Sequence, residues 1–312
     1  MRRRRQRAGL ASSVAAPDDR DFVGYGRRPP VVRWPNDARL AVSLQINYEA
    51  GAEYTFEEDG RNEGVGEWLT GMDNSVADLA TQSIYEYESR AGFWRIMRIL
   101  DEFGTPATVN ACAVAVERNP EVAEYLRASS HEVCCHGWRW EETWTYSREK
   151  ESELMARAVA SLEATTGKRP RGWSSRLMQS SNTRELLVEH GFRYDSDALN
   201  DDLPYIVDVV GSDHVVVPLS FTNNDAQFIF GQCDPPGFAS LLSMALGELL
   251  REGTTHPKMM TIALHPRWIG QAGRAAALRS FLDHASAQDG IWFARREEIA
   301  DWWFEHHEEF SR

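Results

Sequence analysis

The sequence predicts an α/β fold, a parallel sheet joined by right-handed helical crossovers and closed into a barrel. Three observations predict it. Seven or eight short strand-like apolar runs alternate with helical patterns over about 270 residues. Alternation of that length fits a closed barrel better than an open sheet. Three of the runs also end on a side chain that can move a proton. Leu40–Leu44 leads to Glu49, the run from His131 ends on His136, and Met260–Leu264 ends on His265. The carboxyl ends of parallel strands are where such folds place their chemistry.

In chain order, residues 1–20 form a basic arm of small residues without periodicity, expected to be disordered. Residues 21–312 are expected to form a single catalytic barrel. Arg27-Arg28-Pro29-Pro30 and Trp34-Pro35 are proline-fixed extended segments before a first strand over 39–48. Residues 52–82 are polar, glycine-bearing and unpatterned, as in a lid or an interface loop. From Gly92 the pattern turns helical, with Phe93, Ile96, Met97, Leu100 and Phe103 on one face and Gly104 as the stop.

A strand at 107–112 follows, then a helix opened by Asn119-Pro120, a strand at 131–136 and a helix over 149–166. Pro170–Ser174 reads as a short strand, and Asn182 caps a helix that ends at Gly191. The segments Tyr194–Asp197 and His214–Leu219 precede a helix at 238–251 and a strand at 259–264. A helix at 272–286, a strand at 291–294 and a helix through His306 complete the pattern.

Composition narrows the function. With 42% hydrophobic and 26% charged residues the chain is ordinary globular protein. Its net charge is −13 although Arg2–Arg5 and Arg7 crowd the start, so the body is acidic. An acidic body argues against nucleic-acid or anionic-membrane partners. No apolar run approaches the roughly 18 residues of a membrane span. The four cysteines lack C-x-x-C spacing and read as reduced thiols of a cytoplasmic protein.

Glu49 can serve as a general base if low polarity or a neighbouring acid lifts its pKa. His265 can protonate a leaving nitrogen or hold a water, or can be a satisfied core histidine. His136 precedes Gly137, which lets a ligand approach the backbone. Arg139, Arg176 and Arg267 each follow a strand end, and their planar donors suit carboxyl, ureido or imide oxygens, though each also suits a salt bridge. Trp138, Trp140, Trp173 and Trp268 can wall a flat pocket or simply fill the core. Glu49, His136 and His265 could in principle form a His₂Glu zinc site, but Trp140 stands four residues after His136 and cannot ligate.

Several segments together resemble the polysaccharide deacetylase (NodB-homology) superfamily, and within it the PuuE-type, metal-independent allantoinase branch. They are Asp21–Arg27, Asn47-Tyr48-Glu49, Ser83–Tyr87, Ser89–Arg95, His136-Gly137-Trp138-Arg139-Trp140, Asp201–Tyr205, Pro257–Met259 and Gly273–Leu278. The resemblance implies a distorted (β/α)7-type barrel. The superfamily's deacetylases carry an Asp-Asp pair after the first strand, a base followed by a metal ligand, and a metal-binding His-x-x-x-His. These positions fall on Glu49 and Ala50, and on His136 and Trp140.

With alanine and tryptophan at two of three ligand positions, the resemblance implies no metal and no other cofactor. It implies catalysis by Glu49, His136 and His265, with Tyr48, Trp138, Arg139, Trp140, Trp173, Arg176 and Arg267 as substrate-binding candidates. The expected activity is hydrolysis of a cyclic amide, specifically allantoin to allantoate in urate and purine catabolism. Alternatives are an amidohydrolase of another cyclic imide, hydantoin or N-acyl compound, an inactive barrel that binds a ureide or carbohydrate, and a metal hydrolase with relocated ligands. The expected partners are a small ureide or cyclic amide and, by resemblance, further copies of the chain in a tetramer.

Overall fold

A computed structural model of the protein describes residues 20–64, 75–229 and 231–310. The arm expected over 1–20 lies outside them, apart from Arg20. The sheet is organised about β1 (Leu40–Tyr48), every residue of which is buried. Side chains alternate along a strand. Val42, Leu44, Ile46 and Tyr48 join the apolar core shared with the helices, so Ser43, Gln45, Asn47 and Glu49 point the other way, into the barrel. The apolar run visible in sequence is therefore one face of a strand whose second face is polar.

After β1 come a single-turn helix α1 (Phe56–Asp59), α2 (Leu79–Tyr87), a π-helical turn over Glu88–Gly92, and α3 (Phe93–Phe103). Then β2 (Thr108–Ala111), α4 (Ala113–Arg118), α5 (Pro120–Ala128), β3 (Glu132–Cys135), α6 (Arg148–Thr166), β4 (Gly172–Trp173), α7 (Thr183–Glu189) and β5 (Tyr194–Asp195) follow. The chain continues through β6 (Tyr205–Val209), β7 (Ser212–Val216), α8 (Pro235–Glu252), β8 (Lys258–Leu264), α9 (Ala272–Ser286), β9 (Ile291–Phe293) and α10 (Arg296–His306).

The strand order is β6-β7-β5-β4-β3-β2-β1-β8, parallel except for the β6–β7 hairpin. Strand β1 pairs along one edge with β8 and divides the other between β9 at residues 40–42 and β2 at 45–48. No strand pairs with the far edge of β8 among the described residues. Its donors are met by loop backbone instead, Met259 N–H reaching the Asp202 carbonyl and Ala263 N–H the Asn223 carbonyl, both at 2.9 Å. The barrel is a curled sheet whose seam is closed by loops, which protects the edge without a further strand.

Three helices, α1, α2 and α4, escape a sequence reading. The segment expected as loop over 52–82 ends in α2, of which only Thr81 and Tyr85 are buried, so it shows no apolar stripe. The π-turn then joins α2 to α3, making one continuous helix from Leu79 to Phe103. Helix α4 is too short for a period to register. Among the described residues no helix is long and apolar enough to cross a membrane.

Candidate active site

Glu49 follows the last residue of β1 and is fully buried. Its Oε1 lies 3.1 Å from Nε2 of His136 and 3.9 Å from Nε2 of His265, while Oε2 accepts from the Arg267 guanidinium. Arg267 sits in the turn after β8, its cationic carbon 4.4 Å from the Trp268 ring centroid and 4.6 Å from that of Tyr85. That turn packs against the π-turn through two glycines. A Cβ on Gly92 or on Gly270 would lie 2.1 Å from the Pro266 carbonyl oxygen, so any side chain at either position would force the two turns apart.

The same π-turn delivers Glu88, fully buried, to the end of β1. A π-turn inserts one residue into a helix and re-aims its side chains, commonly at a functional site. The Glu88 Oε1 accepts the backbone N–H of Glu49 at 2.6 Å and of Ala50 at 3.1 Å, and Oε2 lies 3.4 Å from Arg267 Nη1. Two carboxyl groups thus share one guanidinium. Burial acts to raise the Glu49 pKa, but the Arg267 charge, the hydrogen bond from His136 and the imidazole charges outweigh it and hold the carboxyl well below its usual range. Glu88 is pushed up to about 8, by burial and by the charge of Glu49 acting against the pull of Arg267. The expectation that low polarity would lift Glu49 is corrected: a cation beside it decides the sign.

His136 follows β3. Its Nδ1 faces the Ser174 carbonyl at 2.5 Å and its Nε2 the Glu49 carboxylate. Both partners are acceptors, so each ring nitrogen of His136 faces an oxygen lone pair. His265 follows β8 and is held from behind by the fully buried Asp225, which lies in the 3-10 turn Asp225–Phe228. Asp225 accepts His265 N–H at 2.8 Å, His265 Nδ1–H at 2.7 Å and Ile269 N–H at 3.2 Å. The free face of the ring packs on Trp268 with centroids 4.2 Å apart, and Nε2 meets Asn47 Nδ2 at 3.1 Å.

Glu49, His136 and His265 all line one cavity of about 320 Å³ at the carboxyl ends of the strands. Trp140 and Trp268 form part of its wall, Gln45 and Asn47 its barrel side, and Ser174, Ser175, Ser196 and Asp197 the wall opposite. Asp197, pushed up to about 7 by burial and the nearby charge of Asp195, accepts Ser175 N–H at 2.6 Å and Ser175 O–H at 2.7 Å. Among the described residues no lysine or arginine lines the cavity.

The sequence-based substrate contacts therefore need revision. Of the seven candidates only Trp140 lines the cavity. Arg139 is bound by Asp59 and the Ala52 and Glu53 carbonyls, and Arg176 by Glu63 and the Trp140 carbonyl. With Arg267 held by Glu49 and Glu88, all three guanidiniums brace protein groups, because buried carboxylates and carbonyls capture them first. Tyr48 points outward, its hydroxyl on Ser89 and Asn119 and its ring on Phe93. Trp138 lies under Arg157, and Trp173 donates to Ser175 from the core. Sequence reasoning missed Glu88, Asp225, Asn47, Asp197 and Glu63. Only the alternation 45, 47, 49 along β1 could have pointed to Asn47.

A divalent metal, which the fold class would lead one to test for, does not fit these residues. The side chains of Ala50 and Trp140 offer no ligand atom, and the two Glu49 oxygens already face Arg267 and His136. No group of three His, Cys, Asp or Glu side chains is placed to hold an ion among the described residues.

Comparison with known proteins is consistent along nearly the whole chain. The family model for polysaccharide deacetylase matches residues 83–194. A Schizosaccharomyces pombe protein named "Putative polysaccharide deacetylase" is 32% identical over 93% of this chain and 98% of its own length. The crystal structure of a probable polysaccharide deacetylase from Pseudomonas aeruginosa PAO1 shares 40% identity, with a TM-score of 0.86 over 93% of this chain and 99% of that one. The crystal structure of PuuE allantoinase shares 38% identity, with a TM-score of 0.85 over 94% and 99%.

Proposed function

The chain belongs to the polysaccharide deacetylase family, and from that premise we propose that it hydrolyses the carbon–nitrogen bond of a small, neutral cyclic amide, opening allantoin to allantoate. The observation that carries this reading is the cavity. At about 320 Å³, with Trp140 and Trp268 among its lining residues, it suits a single small ring. Two imidazoles and the carboxyl groups of Glu49 and Asp197 converge in it, and among the described residues no lysine or arginine lines it to attract an anionic substrate. The likeness to PuuE allantoinase supports the same choice over a sugar polymer.

Glu49 is the base: Arg267 keeps it ionised where burial alone would protonate it, so it can take a proton from water as the oxygen attacks the ring carbonyl. As Glu49 takes up that proton, the Nε2–H of His136, its ring fixed at Nδ1 by the Ser174 carbonyl, turns from Glu49 to the developing oxyanion. His265, its Nδ1–H held by Asp225, gives its Nε2 proton to the departing ring nitrogen as the carbon–nitrogen bond breaks. Glu49, 3.9 Å away, then returns the proton taken from water to His265 and closes the cycle. The test is a parallel assay of allantoin, hydantoin and an N-acetylglucosamine oligomer. Ring opening of a ureide without acetate release supports the reading, and acetate release alone refutes it.

A further inference from the structure

Inside the barrel, directly below the two catalytic groups, lies a cluster of three side-chain amides. Gln45 Nε2 and Asn110 Nδ2 both donate to Asn47 Oδ1, the second at 3.1 Å, and Asn47 Nδ2 faces His265 Nε2 at 3.1 Å. Asn47 and Asn110 are register partners on β1 and β2. All three amides are buried, and their outer oxygens, Gln45 Oε1 and Asn110 Oδ1, have no hydrogen-bond partner among the described residues. A barrel interior built for packing alone would hold apolar side chains here.

We infer that Asn47, flanked by Gln45 and Asn110, is a positioning residue that lets His265 lose and regain its Nε2 proton without a break in the hydrogen bonds beneath it. The inference rests on the acid role given to His265 above. With Nε2 unprotonated, Asn47 donates to it, and Asn47 Oδ1 accepts from Gln45 and Asn110. With Nε2 protonated, a half-turn of the Asn47 amide presents Oδ1 to the ring. The two Nδ2 hydrogens then point along the former lone-pair directions, to Gln45 Oε1 and Asn110 Oδ1 once those amides have also turned. An amide oxygen and an amide nitrogen offer the same two directions in the plane, so three bonds form in either polarity.

The other groups facing the ring do not change in this way. Asp225 accepts at Nδ1 in both states, Trp268 packs against its face, and Glu49 at 3.9 Å is the proton's other station, itself tied to Arg267 and His136. An apolar side chain at position 47 would serve neither state, and a carboxylate only the protonated one.

The direct test follows the ¹⁵N resonances of His265 and of the Asn47, Gln45 and Asn110 side-chain amides in the wild-type protein as pH is varied. The expected result is that the amides move with the same midpoint as Nε2. Amides that stay still while Nε2 titrates, or an Nε2 that never changes state, would overturn the inference. Asn47→Leu is expected to lower kcat on the order of 10–100-fold with KM little changed, since a buried polar group is left unmet in both states. Asn47→Asp, close in shape but able only to accept, should lock the protonated form and also lose kcat, whether or not the leucine variant folds. A wild-type kcat in either variant counts against the inference. Coupled amide shifts in a protein that opens no ring would leave the ladder standing and remove the allantoin reading instead.

Discussion

The two imidazoles of the site are set up in opposite ways. His136 has an acceptor at each nitrogen, Ser174 carbonyl and Glu49 carboxylate, and its role is fixed as a donor. His265 has an acceptor at one nitrogen only, Asp225, and at the other an amide that can either donate or accept. Rigid polarity suits a group that meets a developing negative charge, and changeable polarity suits a group that must hand over a proton and recover it. The same contrast separates the Glu49–Arg267 pair, held by full charges, from the neutral amides Gln45, Asn47 and Asn110.

That contrast can be broken by substitution. Of the two histidines, the larger effect is expected at His265. His265→Gln should lower kcat by roughly 10²–10⁴ in steady-state kinetics, the usual contribution of a positioned acid. His136→Gln, which keeps an N–H at the oxyanion, should cost less, and equal losses would erase the distinction. Asp225→Asn comes next. It removes the acceptor that fixes the Nδ1–H tautomer, and a loss on the order of 10²-fold or more in kcat with KM held is expected. Glu88→Gln keeps an oxygen for the Glu49 and Ala50 N–H groups but gives Arg267 wholly to Glu49. Because Glu88 is pushed up to about 8, the variant should match the wild type at neutral pH and fall below it only at higher pH, where wild-type Glu88 ionises and makes Glu49 the stronger base.

The smallest effect lies away from the cavity. Glu132 accepts from Tyr194, Thr108 and the Glu297 N–H, and is pushed up to about 7 by burial and by the charge of Glu297. Its folded pKa lies above its ordinary value of 4.5, so between those values the folded state holds a proton that the unfolded state has released. Its contribution is fully present below the lower value and is lost as pH rises through the upper one. Thermal melts across that window should show stability falling with pH, and Glu132→Gln should flatten the fall by about a few degrees of Tm.

How much of this was legible depended on which physical signal each residue left. Glu49, His136 and His265 were readable because each ends an apolar strand, and parallel strands bring such ends to one rim. The arginines misled because a strand-end position says where a side chain starts and nothing about which buried acid captures it. Glu88 was hidden by the π-turn, whose extra residue breaks helical periodicity where it matters. Asp225 lies in a short turn without any pattern, and its pairing with His265 spans 40 residues. The polar face of β1 was present as Ser43, Gln45, Asn47 and Glu49, but its alternation reads equally as a solvated surface until closure of the barrel turns it inward.

The central claim, that this site opens a neutral cyclic amide using its own side chains, is tested most directly by giving chelator-treated protein racemic allantoin and following formation of allantoate. The account predicts catalytic ring opening that added zinc does not raise and that Glu49→Gln abolishes. Absence of ring opening, or turnover that appears only when a divalent ion is restored, would contradict it.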